Sequence, residues 1–206
     1  MLIDKLLERF DPVDILPVDI NSIKDALIEF GVQDEIEFHF VSIDSQKIRA
    51  LLHRYTYHNG VYGDPILHSD VIIARDQGDE DEAWQRLGAA KELLHITDCA
   101  AITAQSEEAV EKLFRHLSLP AELRTPDLNT GSALNDRMRI FLALAILVPK
   151  TCRQKLRDLH DRDLLSPREI ALLANIPERY GDVVISEDFE AMIDLFTSWE
   201  SEMSRR

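Results

Sequence analysis

Cysteine is almost missing from this chain: its 206 residues include two, Cys99 and Cys152. They stand far apart and fit no CxxC or zinc-knuckle spacing, which argues against a disulfide framework or a cysteine-built zinc site. Basic residues are also scarce, with 23 Lys and Arg against 38 Asp and Glu and a formal net charge of -15. A protein that tracks phosphates needs a concentrated basic face to displace counterions, so this balance argues against nucleic-acid binding. It argues equally against docking on anionic lipid. Long apolar runs are lacking too. The longest is IFLALAILV, residues 140 to 148, whereas a membrane span needs roughly 20 apolar residues. No secretory signal stands at MLIDKLLERF, so the expectation is a cytoplasmic protein with reduced thiols and no membrane partner.

What is present suffices for a sizeable core, since 45% of the residues are hydrophobic. Residues 1 to 10 have helical spacing, ended by Asp11-Pro12. Asp19 or Asn21 can cap a helix whose face is Ile23, Ala26, Leu27 and Phe30, closed by Gly31. IEFHFVSID alternates as a strand from about Ile36 to Ile43. SQKIRALLHRY reads as a short helix passing into a β-prone RYTYHNGVY with an Asn59-Gly60 turn, and ILHSDVIIARD holds another strand. DEAWQRLGAAKELLHITD predicts a helix from Asp81 to about Ala101, with acids at its positive end. Further helices are expected at SEEAVEKLFRHLSL, from Leu134 to Val148, at TCRQKLRDLHDRD, at SPREIALLANI and over 186 to 203. ELRTPDLNTGS reads as a polar loop. The expected class is α+β, a small early β-sheet packed on a mostly helical body. The division is a domain over 1–150 with a helical C-terminal tail, 151–206, packed on it.

Lys91-Glu92-Leu93-Leu94-His95 carries the functional question. Residues four apart share a helix face, so in H-E-x-x-H two imidazoles reach one ion while the glutamate activates a bound water. Here that geometry puts Lys91 and His95 on one face with Glu92 beside them. K-E-L-L-H is equally five common helix residues, so its context must decide.

That context resembles the ImmA/IrrE family of zinc metallopeptidases. WQRLGAAKELLH is similar to the family's R-F-T-L-A-H-E-L-G-H segment. LPVDINSIKDALIEFGV resembles its opening helix and VIIARD its edge strand. DRMRIFLALAILVPK is similar to its E-x-x-A-N-x-F-A-x-x-L-L-M-P helix, and REIALLANIPERY to its tail. The pieces fall in the family's order from about residue 15 to 180. The resemblance implies a zincin-like fold, Glu92 as the water-activating base if the protein is active, and His95 as a metal ligand. Departures bear on the same residues. The first zinc histidine falls on Lys91, and the acid of the third-ligand helix falls on Asp136.

A lysine ammonium has no lone pair for a metal, but it can stand roughly where the cation would and neutralise the acids around it. The expectation is therefore a metal-free pseudo-site of Lys91, Glu92, His95 and Asp136. It has no cofactor unless the protein is active, in which case zinc would sit on His95 and Asp136. Cys99, one turn beyond His95, could join that set or act as a small apolar group. Asp98 could orient the imidazole or simply end the helix. His53, His58 and His68 lie in or near strands and read as hydrogen-bonded sheet histidines, with a ligand role as the second reading; His39, His116 and His160 read as structural. Pro177 and the acidic flanks of SPREIALLANIPERY argue against a helix-turn-helix.

Three functions follow. The first is a catalytically inactive, zincin-like regulatory protein that binds a protein partner, a transcriptional regulator by the resemblance. The second is an active metallopeptidase with an altered metal shell. The third is an acidic interaction domain unrelated to peptidases.

Overall fold

A computed structural model describes residues 2–45, 48–58, 64–75, 80–98 and 131–203. The expected helix at SEEAVEKLFRHLSL, the Asn59-Gly60 turn, His116 and Cys99 lie outside these residues, as does most of the expected polar loop. The chain is α+β, a three-stranded sheet with helices before and after it. Helix α1, Leu2–Phe10, buries Ile3, Leu6 and Phe10, the spacing of one helical face. Helix α2 spans Ile20–Glu29; the Asp19 side chain accepts from the Asn21 amide at 3.0 Å, and Gly31 closes the helix at a φ of 102° that favours glycine.

Strands β1 (Glu35–Val41), β2 (Ala50–His58) and β3 (Pro65–Ala74) lie in the order β1-β3-β2, with β3 parallel to β1 and antiparallel to β2. Period-two alternation gives the sheet two chemically different faces. Ile36, Val71 and Ile73 point into the core. Glu37, His39, Asp70, His53 and Tyr55 share the other, exposed face. On the core side Asp34 is buried, bound by Arg54 at 2.6 and 2.7 Å and by the Ser69 hydroxyl at 2.6 Å.

Helix α3, Asp81–His95, packs across the sheet at Gly88, where a Cβ would come within 2.9 Å of the Ala50 Cβ. Helix α4, Gly131–Leu147, is apolar around its whole last half; Leu142 through Val148 are all buried, as its sequence required. Helices α5 (Lys150–Asp161), α6 (Pro167–Ala174), α7 (Gly181–Ile185) and α8 (Asp188–Met203) complete the body, with a short 3-10 turn over Glu178–Tyr180. Ser166 and Glu169 form a reciprocal capping box at the start of α6. Arg153 is buried on α5, donating to the Ala145 and Val148 carbonyls at the end of α4 and to Glu190 on α8. The tail's Phe189 and Ile193 enter the same hydrophobic cluster as Leu6, Leu27 and Leu93.

Three expectations are corrected. The stretch expected to begin as a helix at SQKIRALLHRY is strand from Ala50, because its residues alternate between the two sheet faces and Arg54 reaches the buried Asp34. The helix expected to reach Ala101 ends at His95, where Thr97 Oγ1 donates to the Leu94 carbonyl at 2.7 Å and the chain turns. Helix α4 begins at Gly131 rather than Leu134, taking in the last residues assigned to the polar loop.

Candidate functional site

Two helices build the site. On α3, Lys91, Glu92 and His95 sit in the last turn and a half; on α4, Asp136 and Arg139 are three apart and share a face. The α3–α4 contact brings these groups together. The Lys91 ammonium donates to Asp136 Oδ1 at 2.6 Å and lies 3.0 Å from Glu92 Oε1. His95 Nε2 is 3.5 Å from the same Asp136 oxygen, and its Nδ1 is 2.7 Å from Asp98 Oδ2. Asp98 in turn takes a short hydrogen bond from Arg139. Glu92, Asp98 and Arg139 are buried, while Asp136 is about half exposed, at 49% of its side chain.

Signs alternate along this line: Glu92, Lys91, Asp136, His95, Asp98, Arg139. Among the described residues, three carboxylates face three cations when His95 is protonated, so the charges of these six groups balance. Its charges hold each other in place. Burial alone would lower the Lys91 ammonium, but the Glu92 and Asp136 carboxylates outweigh it and hold that ammonium above its ordinary range. For His95, burial again lowers the value, while hydrogen bonds to Asp136 and Asp98 and the charge of Glu92 lift it to about 9. Burial raises both Asp136 and Asp98. His95 and Lys91 bring Asp136 below the usual carboxylate range, and His95 and Arg139 do the same for Asp98.

Chemically, the arrangement stores charge and keeps a proton on each nitrogen that could bind a metal. A zinc ligand must present a deprotonated nitrogen or oxygen. Lys91 instead directs an N–H at Asp136, occupying the carboxylate that would be a ligand, and His95 meets a carboxylate at each ring nitrogen. A zinc ion at this position would have to expel one proton from each of two groups that their neighbours keep charged. The residues present do not fit the ion that the sequence resemblance implies. Asp98 is the residue that orients the imidazole, and the turn after His95 is what allows it.

The remaining sequence candidates separate. His58 closes β2 at the exposed end of the sheet. His68 Nε2 lies 3.1 Å from Glu35 and its ring stacks on Tyr55, as a sheet histidine would. His160 Nδ1 is 2.9 Å from the Leu165 carbonyl, a structural contact. Cys152 is a buried free thiol, 3.4 Å from the Val13 carbonyl and raised above its usual range by burial. His39, read as structural, lies between two carboxylates: its Nε2 is 3.1 Å from Asp70 and 3.6 Å from Glu37. The signal for it was the E-x-H alternation of β1, which puts Glu37 and His39 on one strand face.

Known families, curated proteins and solved structures were each compared with the chain, and none matches it.

Proposed function

We propose that this protein is a zincin-like pseudo-peptidase, catalytically inactive, which regulates by binding a protein partner. The observation that carries the reading is the Lys91 ammonium held between Asp136 and Glu92 at 2.6 and 3.0 Å. An ammonium there supplies the positive charge that the acids require and leaves no place for a catalytic ion. The placement of Asp136 supports the family reading as well. A carboxylate from the later helix meets the His95 face of α3, the arrangement the resemblance to ImmA/IrrE peptidases implies for a third ligand. Glu92, the position of the water-activating base in that family, is occupied in an ion pair instead. Because the resemblance is to enzymes that cleave repressors, the expected partner is a regulatory protein, bound through contacts that do not require Glu92.

Metal binding is compared in the unaltered chain, His95→Ala, Lys91→His, and Lys91→His combined with His95→Ala. Elemental mass spectrometry after dialysis against zinc reads the His95-dependent metal. The unaltered chain is expected to hold no zinc that depends on His95, the Lys91→His variant about one ion per chain more than the unaltered chain, and the double variant to lose that additional ion. Co-purification is expected to recover the same partner with the Glu92→Gln variant as with the unaltered protein. Zinc that depends on His95 in the unaltered chain, with protein cleavage abolished by Glu92→Gln, would establish an active peptidase with an altered metal shell instead. Failure of Lys91→His to take up that additional ion would sever the link to zinc peptidases and leave an acidic interaction domain.

A further inference from the structure

We infer that the exposed face of the sheet carries a separate metal site, in which Glu37, His39 and Asp70 bind a zinc-class divalent ion. Backbone register brings the donors together. Glu37 and His39 are two apart on β1 and point the same way, and Asp70 of β3 is the direct register partner of Glu37. One ligand atom from each of the three lies within 4.8 Å of the others.

The spacing suits a tetrahedral ion. Bonds of about 2.0–2.2 Å at tetrahedral angles place neighbouring donors roughly 3.3–3.6 Å apart. His39 Nε2 is 3.1 Å from Asp70 Oδ1 and 3.6 Å from Glu37 Oε2. Small side-chain rotations admit the ion, because His39 and Glu37 are open to solvent. Three protein ligands leave the fourth position to water.

Charge points the same way. Two carboxylates in direct register on neighbouring strands repel one another. Among the described residues, Glu37 and Asp70 form no ion pair with a lysine or arginine; their partners within ion-pair distance are His39 and His53. A dication would neutralise the pair. One imidazole among the donors favours zinc and its neighbours over calcium or magnesium, which prefer oxygen alone.

Outer partners are in place. His53 on β2 lies 3.8 Å from the second oxygen of Asp70. His53 and Tyr55, two apart on β2, stack with ring centroids 5.0 Å apart. His53 therefore acts as a positioning residue for the Asp70 carboxylate. The site spans all three strands and shares no residue with the Lys91 network.

Equilibrium dialysis against ZnCl2, read by elemental analysis, tests the inference on the full chain. About one zinc ion is expected per chain in the unaltered protein and in His95→Gln alike. His39→Ala and Asp70→Asn are expected to weaken binding more than about 100-fold, and His53→Ala by about 10-fold. Far-ultraviolet circular dichroism of the zinc-free variants checks that each remains folded, and Glu37→Gln supplies a second loss should one of them not. CaCl2 is expected not to compete. The inference is overturned if the unaltered chain takes up no zinc at micromolar concentrations. It is also overturned if His39→Ala, folded, retains zinc, or if His95→Gln alone removes it.

Discussion

A histidine clamped between two carboxylates is a titrating group with a defined effect on stability. His95 is held by Asp98 and Asp136, and its value rises from 6.5 to about 9. In the unfolded chain it titrates near its ordinary value, so folding takes up a proton between these limits. The stabilisation is fully present below about pH 6.5 and is lost as pH rises through about 9. Urea unfolding at pH 6.5 and at pH 9.5 should therefore show a fall on the order of 1 to 3 kcal/mol, much reduced in His95→Gln. Equal losses in both proteins would mean that the proton is not bound at His95. Much of this site was legible beforehand, because fixed helical spacing puts Lys91 and His95 on one face and the family resemblance places an acid at Asp136 on the later helix. The role of Arg139 was not. It meets Asp98 only because the chain turns after His95 and a second helix passes beside that turn, and local spacing encodes neither.

Elements in this protein meet at small residues. Gly181 opens α7 at an ordinary helical φ of -60°, so the glycine is there for space and not for conformational freedom. A Cβ on it would lie 2.0 Å from the Pro167 carbonyl oxygen and 2.9 Å from its carbonyl carbon, backbone atoms in the first turn of α6. That turn is fixed by the Ser166–Glu169 capping box and cannot yield like a flexible side chain. Gly181→Ala should therefore destabilise the fold by about 3 kcal/mol, lowering the urea midpoint with an unchanged slope. A change within about 0.5 kcal/mol would mean that α6 and α7 separate at little cost. Helix ends and interiors with strong local signals were readable: the α1 and α2 faces, the apolar α4 and the Ser166 cap. Strand β2 was less so. Its Leu51, Leu52 and Arg54 satisfy a helical pattern nearly as well as an alternating one, and the buried Asp34 that decides between them is 20 residues away.

At the scale of the whole chain, strand order and the long-range charge balance are decided together with the core. Periodicity identified strands but not that β3 would lie between β1 and β2, which depends on how Val71 and Ile73 are covered from the helical side. The charge balance has its own consequence. The six described groups of the Lys91 network balance with His95 protonated, so nearly all of the excess of 38 acids over 23 bases lies outside those six. Like charges on a folded chain repel over a screening length of about 30 Å at 0.01 M salt and about 8 Å at 0.15 M. Against this, exposed pairs such as Arg162–Asp158 or Lys155–Asp14 contribute on the order of 0 to 1 kcal/mol each and weaken in the same salt. The buried contacts at Lys91, Arg139 and Arg153 are screened far less. Salt therefore relieves more repulsion than it costs in attraction. Raising sodium chloride between those two concentrations, with a chelator present so that no divalent ion contributes, should raise Tm by about 2 to 4 °C for each kcal/mol relieved. A Tm that falls would mean that exposed ion pairs stabilise this acidic chain by more than its net charge costs.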